Sequence, residues 1–148
     1  MTVDDIQRLG DVLEPLSGRD MVALWEDEEA MEMLRYSLKR LTSDDFVSEM
    51  VGAEGGLKGT FKGPEGFIEG WRDFLDAFET FQNVIQEVLP VGDKIVVLNR
   101  LKGTTATGGV GMEQEGAGVF TFADGQLTRA EFHLDRDGAL RSAGVKPG

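Results

Sequence analysis

The stretch Ala123-Asp124-Gly125-Gln126-Leu127-Thr128-Arg129-Ala130-Glu131-Phe132-His133-Leu134-Asp135-Arg136 decides the fold. Asp124-Gly125 is a two-residue hairpin signal, because both residue types tolerate the turn that joins antiparallel strands. Beyond it the side chains alternate. Ala130, Phe132 and Leu134 share one side, and Arg129, Glu131, His133 and Asp135 share the other. A strand with one apolar and one polar face belongs to a sheet that helices cover on one side, and the hydrophobic effect assigns the apolar set to that side. The charged row, with the lone histidine His133, is then expected to face water or a second subunit.

Working outward, the period of two extends upstream. It predicts strands over Val84–Leu89, Lys94–Gly103, Met112–Phe122 and Gln126–Arg136, with turns at Gly92-Asp93, Thr104–Gly109 and Asp124-Gly125. Short turns between successive strands imply an antiparallel meander. Downstream, Arg136 to Ala143 reads as a short closing helix ended by Gly144.

The first half has the helical period instead. Val3, Ile6, Leu9, Leu13 and Leu16 mark one helix, and Met21, Leu24, Trp25, Met31, Leu34, Leu38 and Leu41 mark a second, from about Asp20 to Leu41. Phe46–Val51 is a plausible first strand. Gly52, Gly55, Gly56 and Gly59 make a loose loop without the Lys and Ser or Thr that a phosphate-cradling loop needs after its last glycine. A third helix begins at Pro64, suited to the first helical position, and carries Phe67, Ile68, Trp71, Phe74, Leu75 and Phe78. Helices first and strands afterwards is the α+β pattern, here in one domain over residues 1–148.

Composition narrows the function classes. With 41% hydrophobic and 28% charged residues, the 148-residue chain is ordinary globular material for a single core. The net charge of −12 and the lack of a basic stripe argue against nucleic acid. No apolar run is long enough for a membrane span, and the N-terminus lacks a secretory pattern, so a cytoplasmic location is expected. Without cysteine, and with one histidine, a zinc site is not expected, nor is any cofactor.

Three blocks carry a family resemblance: GPEGFIEGWRDFLDAFE (63–79), GDKIVVLNRLKG (92–103) and ADGQLTRAEFHLDRDGALRSAG (123–144). In this order they resemble the SnoaL-like branch of the nuclear-transport-factor-two-like superfamily, while the helical N-terminus, residues 1–41, matches less well. The resemblance implies a curved, mainly antiparallel sheet wrapped on three helices, a pocket between the layers, and homodimers through the outer sheet face. It does not select a chemistry, because the superfamily spans polyketide cyclases, steroid isomerases and members without known activity.

Alternation also proposes the pocket wall. Ala130, Phe132 and Leu134 point inward, as do Phe120 and Phe122, with Met112, Gly116 and Gly118 in register and the glycines leaving volume. Phe67, Trp71 and Phe74 are their natural partners from the third helix. These rings either line a pocket for a small lipophilic ligand or pack on one another as core. The resemblance to cyclases implies an inward His and Asp two residues apart on the last strand, and those positions are Ala130 and Phe132 here, neither of which transfers a proton. The remaining catalytic candidates are Tyr36, Gln114 and Asn99. Asn99 either orients a ligand carbonyl or bonds to a neighbouring strand. The expectation is therefore a small-molecule-binding domain, with an isomerase or cyclase, or a structural dimer with a filled core, as alternatives.

Overall fold

The computed structural model describes residues 2–51 and 57–145. The expected glycine loop at Gly52, Gly55 and Gly56 lies outside the described residues. Four helices precede or interrupt the first strands: α1 (Val3–Leu13), α2 (Met21–Trp25), α3 (Glu28–Leu41) and, after β1 (Thr42–Val51) and β2 (Leu57–Lys62), α4 (Gly63–Leu75). Then come β3 (Phe78–Val91), β4 (Lys94–Thr105), β5 (Gly111–Ala123), β6 (Gln126–His133) and α5 (Arg136–Ser142). The α+β architecture and the antiparallel meander expected from periodicity are both present.

Local chemistry explains the boundaries. Thr2 and Asp5 exchange side-chain and backbone hydrogen bonds in a capping box that starts α1. The single helix expected from Asp20 to Leu41 is two helices. Asp27 sits in extended conformation and accepts from the Glu29 and Ala30 amides, so its carboxylate restarts the chain as α3. Apolar periodicity runs through that break because both pieces pack on the same core. The strand β2 was not anticipated. Gly59 weakened the strand signal there, yet Gly59 pairs with Met50 and Phe61 with Ser48.

The sheet order is β2-β1-β6-β5-β4-β3, antiparallel at every join except β1 with β6, which run parallel. Asp124 (φ 52°) and Gly125 (φ 77°) both take left-handed conformations at the β5–β6 turn, as a tight hairpin requires. Register shifts in β3 and between Thr121 and Phe122 bend the sheet around its helices. Two glycines in β5 sit where a side chain would collide with a neighbour. A Cβ on Gly116 would stand 2.7 Å from the His133 carbonyl, and one on Gly118 would stand 2.8 Å from the Phe120 ring. Both glycines thus let neighbours approach closely; Gly118 also borders a small hollow, whereas Gly116 leaves no space.

The concave face packs on α1 to α4 through one core that includes Trp25, Leu38, Trp71, Phe81 and Phe120. The convex face carries a second, smaller cluster: Val96, Ala117 and Val119 meet Ala139 of α5 and Ala143 just beyond it. Helices thus cover both faces. Glu131 and His133, expected in water or against a second subunit, are only 7% and 8% exposed. Their burial follows from α5 folding back across the sheet. No helix among the described residues is long and apolar enough to cross a membrane.

Candidate functional site

Between α4 and the concave face lies a cavity of about 340 Å³. Trp71 and Phe74 supply its helical wall, Phe81 and Leu101 its floor, and Met50, Phe132 and Leu134 the side toward β1 and β6. A hollow of about 40 Å³ continues toward Met21, Phe67, Val97 and Phe120. Trp71, Phe132, Asn83 and Asn99 border both spaces and so stand at the junction.

Phe132 organises the aromatic wall. Its ring centroid lies 4.9 Å from that of Trp71, 5.5 Å from Phe67 and 5.7 Å from Phe120, each pair edge-to-face. That geometry sets the positive ring edge against the negative face, which holds the rings beyond what burial alone does. The Trp25 indole donates to the Ile68 carbonyl at 3.0 Å and braces α4 from behind.

The residues proposed from sequence divide into those at the cavity and those elsewhere. Trp71, Phe74, Phe132 and Leu134 line the larger space, and Phe67 and Phe120 line the smaller. Ala130 and Phe122 point to the concave side as expected but are buried in solid core, away from both spaces. Met112 packs at the core margin, beside a surface groove with Asp20 and Gln82. Tyr36 is 62% exposed on α3, where its hydroxyl accepts from Arg40, so it is remote from the cavity. The Gln114 amide is occupied, donating to the Leu134 carbonyl. Asn99 alone of the three polar candidates reaches the cavity.

Sequence reasoning missed Asn83. The predicted strand began one residue later, at Val84, whereas β3 begins at Phe78 and places Phe81, Asn83 and Ile85 on the concave face. Extending the alternation backward from Ile85 would have found it. Asn83 Oδ1 and Asn99 Oδ1 are both buried, and neither has a hydrogen-bond partner among the described residues.

Titratable groups are sparse here. Asp73, exposed on α4, and His133 are the only ones among the described lining residues. The His133 imidazole is already engaged on the opposite face. Its Nε2 lies 3.0 Å from Glu131 Oε1, and the Ser142 hydroxyl donates to that same oxygen at 2.7 Å. Arg129 Nε approaches Glu131 Oε2 at 3.6 Å and also pairs with Glu49. Burial pushes the Glu131 carboxyl up, but hydrogen bonds from His133 and Ser142, with the charges of His133 and Arg129, outweigh it and hold the group below the usual glutamate value. This network fastens α5 to the sheet. Among the described residues no three carboxylate or imidazole side chains converge as a metal site would require.

The sequence profile of the SnoaL-like domain matches residues 18–130. The chain belongs to the SnoaL-like family. No curated protein sequence matches this SnoaL-like chain. Among solved structures it resembles a protein assigned as a SnoaL-like polyketide cyclase from Jannaschia, at 19% identity over 89% of this chain and 88% of that one, with a TM-score of 0.61. A nuclear-transport-factor-two-like protein of unknown function from Burkholderia pseudomallei is 16% identical over 95% and 97% of the two chains, with a TM-score of 0.62. TerC, crystallised with polyporic acid, is 23% identical over 78% and 88%, with a TM-score of 0.54. At these identities the likeness is one of fold.

Proposed function

We propose that this SnoaL-like protein binds a small, largely apolar, ring-containing molecule in the cavity between α4 and the concave face of the sheet. The observation that carries the reading is a cavity of about 340 Å³ walled by Trp71, Phe74, Phe81 and Phe132. Its volume falls within the range of small-molecule sites, roughly 300–1,000 Å³, and its wall has their composition: apolar rings with a few convergent polar groups. The solved structure of TerC with polyporic acid, and the polyketide-cyclase assignment of the Jannaschia protein, support a ligand of this kind.

Binding is favoured over acid–base catalysis for a specific reason. Proton transfer needs a titratable group within hydrogen-bond reach of the reacting atom. Ala130 and Phe132 occupy the cyclase positions, the His133 imidazole is held by Glu131, and Asp73 stands exposed on α4.

Thermal-shift measurement with a panel of steroids, aromatic polyketides and fatty acids tests the reading. A ligand present at 100 times its Kd stabilises by about 2.7 kcal/mol, a clear rise in Tm. Binding should also change the fluorescence of Trp71 in the cavity wall. If no member of the panel moves either signal, the proposal fails.

A further inference from the structure

The outward side of α3 carries a stripe that is exposed along its whole length. Opposite the buried positions Met31, Leu34, Leu38 and Leu41, the helix presents Glu29, Met33, Tyr36 and Arg40 at intervals of four, three and four residues. That is the spacing with which one helix meets another along a seam. Met33 is 68% exposed and Tyr36 62%. The other exposed large apolar residues, Val3, Val88 and Val110, are scattered, as single surface residues commonly are. Met33 and Tyr36 instead lie one turn apart on one face.

The stripe ends in opposite charges. Glu29 closes an acidic run with Glu26, Asp27 and Glu28, and Arg40 follows Lys39. Roughly 16 Å of helix separates Glu29 from Arg40, so the two cannot pair within one chain. Neither forms an ion pair among the described residues, whereas Arg35 on the flank pairs with Glu65. Arg40 donates to the Tyr36 hydroxyl at 3.0 Å, and its guanidinium lies 5.6 Å from the centroid of that ring. Acid at the start of a helix and base at its end suit the helix dipole, but the dipole does not account for an exposed Met and Tyr between them.

The stripe is complementary to itself when reversed. Its spacing is the same from either end, so an antiparallel second copy sets Met33 against Tyr36 and Glu29 against Arg40, each contact made twice by twofold symmetry. A groove of about 370 Å³ between α1 and α3, bordered by Val12, Tyr36, Ser37 and Arg40, opens beside it. A stable pair buries roughly 800 Å² on each copy, so the contact must extend across this groove onto α1.

We infer that the outward face of α3 is an interface with a second copy of this chain, packed antiparallel so that Met33 and Tyr36 form its centre and Glu29 and Arg40 its charged ends. This contact lies outside the cavity, so its test does not depend on ligand binding.

Sedimentation equilibrium from low to high micromolar concentration measures the pairing. The wild type should show a reversible monomer–dimer equilibrium. Tyr36→Glu should weaken it at least about tenfold, because both copies carry a charge into the centre of the contact. Val110→Glu, at a residue that is also 62% exposed, should leave it unchanged. Glu29→Arg and Arg40→Glu should each weaken it severalfold, and the two together in one chain should restore it, which a merely local role of either residue would not do. All four positions of the stripe are exposed, where substitutions cost little stability. A wild type that stays monomeric throughout would overturn the inference. So would a dimer that survives Tyr36→Glu, since the contact would then lie on another face, such as the convex face of the sheet. Failure of the double charge exchange to restore pairing would refute the antiparallel register.

Discussion

On the convex face of the sheet, Glu131 and His133 are buried beneath α5 and bonded to each other, and Ser142 of α5 donates to Glu131; on the concave face, the side-chain oxygens of Asn83 and Asn99 are buried without a partner among the described residues. From the sequence, Glu131 and His133 were expected on an outer polar row facing water or a second subunit. Of the second pair, Asn99 was already a candidate and Asn83 was not. The difference lies in whether a buried polar atom finds its partner within the chain. A polar group with its partners in the chain is accounted for by the fold, and a buried one without them calls for a separate explanation.

The contrast can be broken or sharpened by substitution. The largest effect should come from Trp71→Ala, which removes the ring touching Trp25, Phe74, Phe81 and Phe132. A loss of about 3–5 kcal/mol is expected in denaturant unfolding. A much smaller loss would mean that the wall is loosely packed and the cavity larger than its static shape. Next, Glu131→Leu should cost about 1–3 kcal/mol, because His133 and Ser142 would lose their common acceptor. The same polar-to-apolar change at Asn99 should have no cost or the opposite sign. If both variants are destabilised alike, the two faces do not differ as argued.

The smallest effect is acid sensitivity. The Glu131 carboxyl titrates below its unfolded value of about 4.3, so its contribution is fully present above that pH and is lost as pH falls through the lower, folded-state value. Asp5 behaves likewise: burial raises it, but the Thr2 amide and Arg8 outweigh that and hold it low. Unfolding midpoints should therefore decline below about pH 4.3, and less steeply in Glu131→Leu. Identical acid profiles for the variant and wild type would remove Glu131 from the account.

Legibility varied with the range of the information. The β5–β6 hairpin was readable from Asp124-Gly125, because a tight turn is chosen by the residues within it. The inward direction of Phe120, Phe122, Ala130 and Phe132 was readable because alternation is a local property of extended chain. By contrast, β2 is recognisable chiefly through its pairing with β1. The gap between α2 and α3 hides beneath a continuous apolar stripe, although Asp27 marks it for a reader who weighs capping above periodicity.

By itself, the order of residues determined the α+β class, the meander and the inward direction of Phe120, Phe122, Ala130 and Phe132, since period, turn chemistry and side-chain hydrophobicity act over a few neighbours. Only the tertiary structure decided that α5 would cross the convex face and bury His133 with Glu131. It alone also brought Asn83 and Asn99 together at the junction of two hollows. Both outcomes depend on where a distant segment comes to rest, and burial of a polar group has no signature in the residues on either side of it.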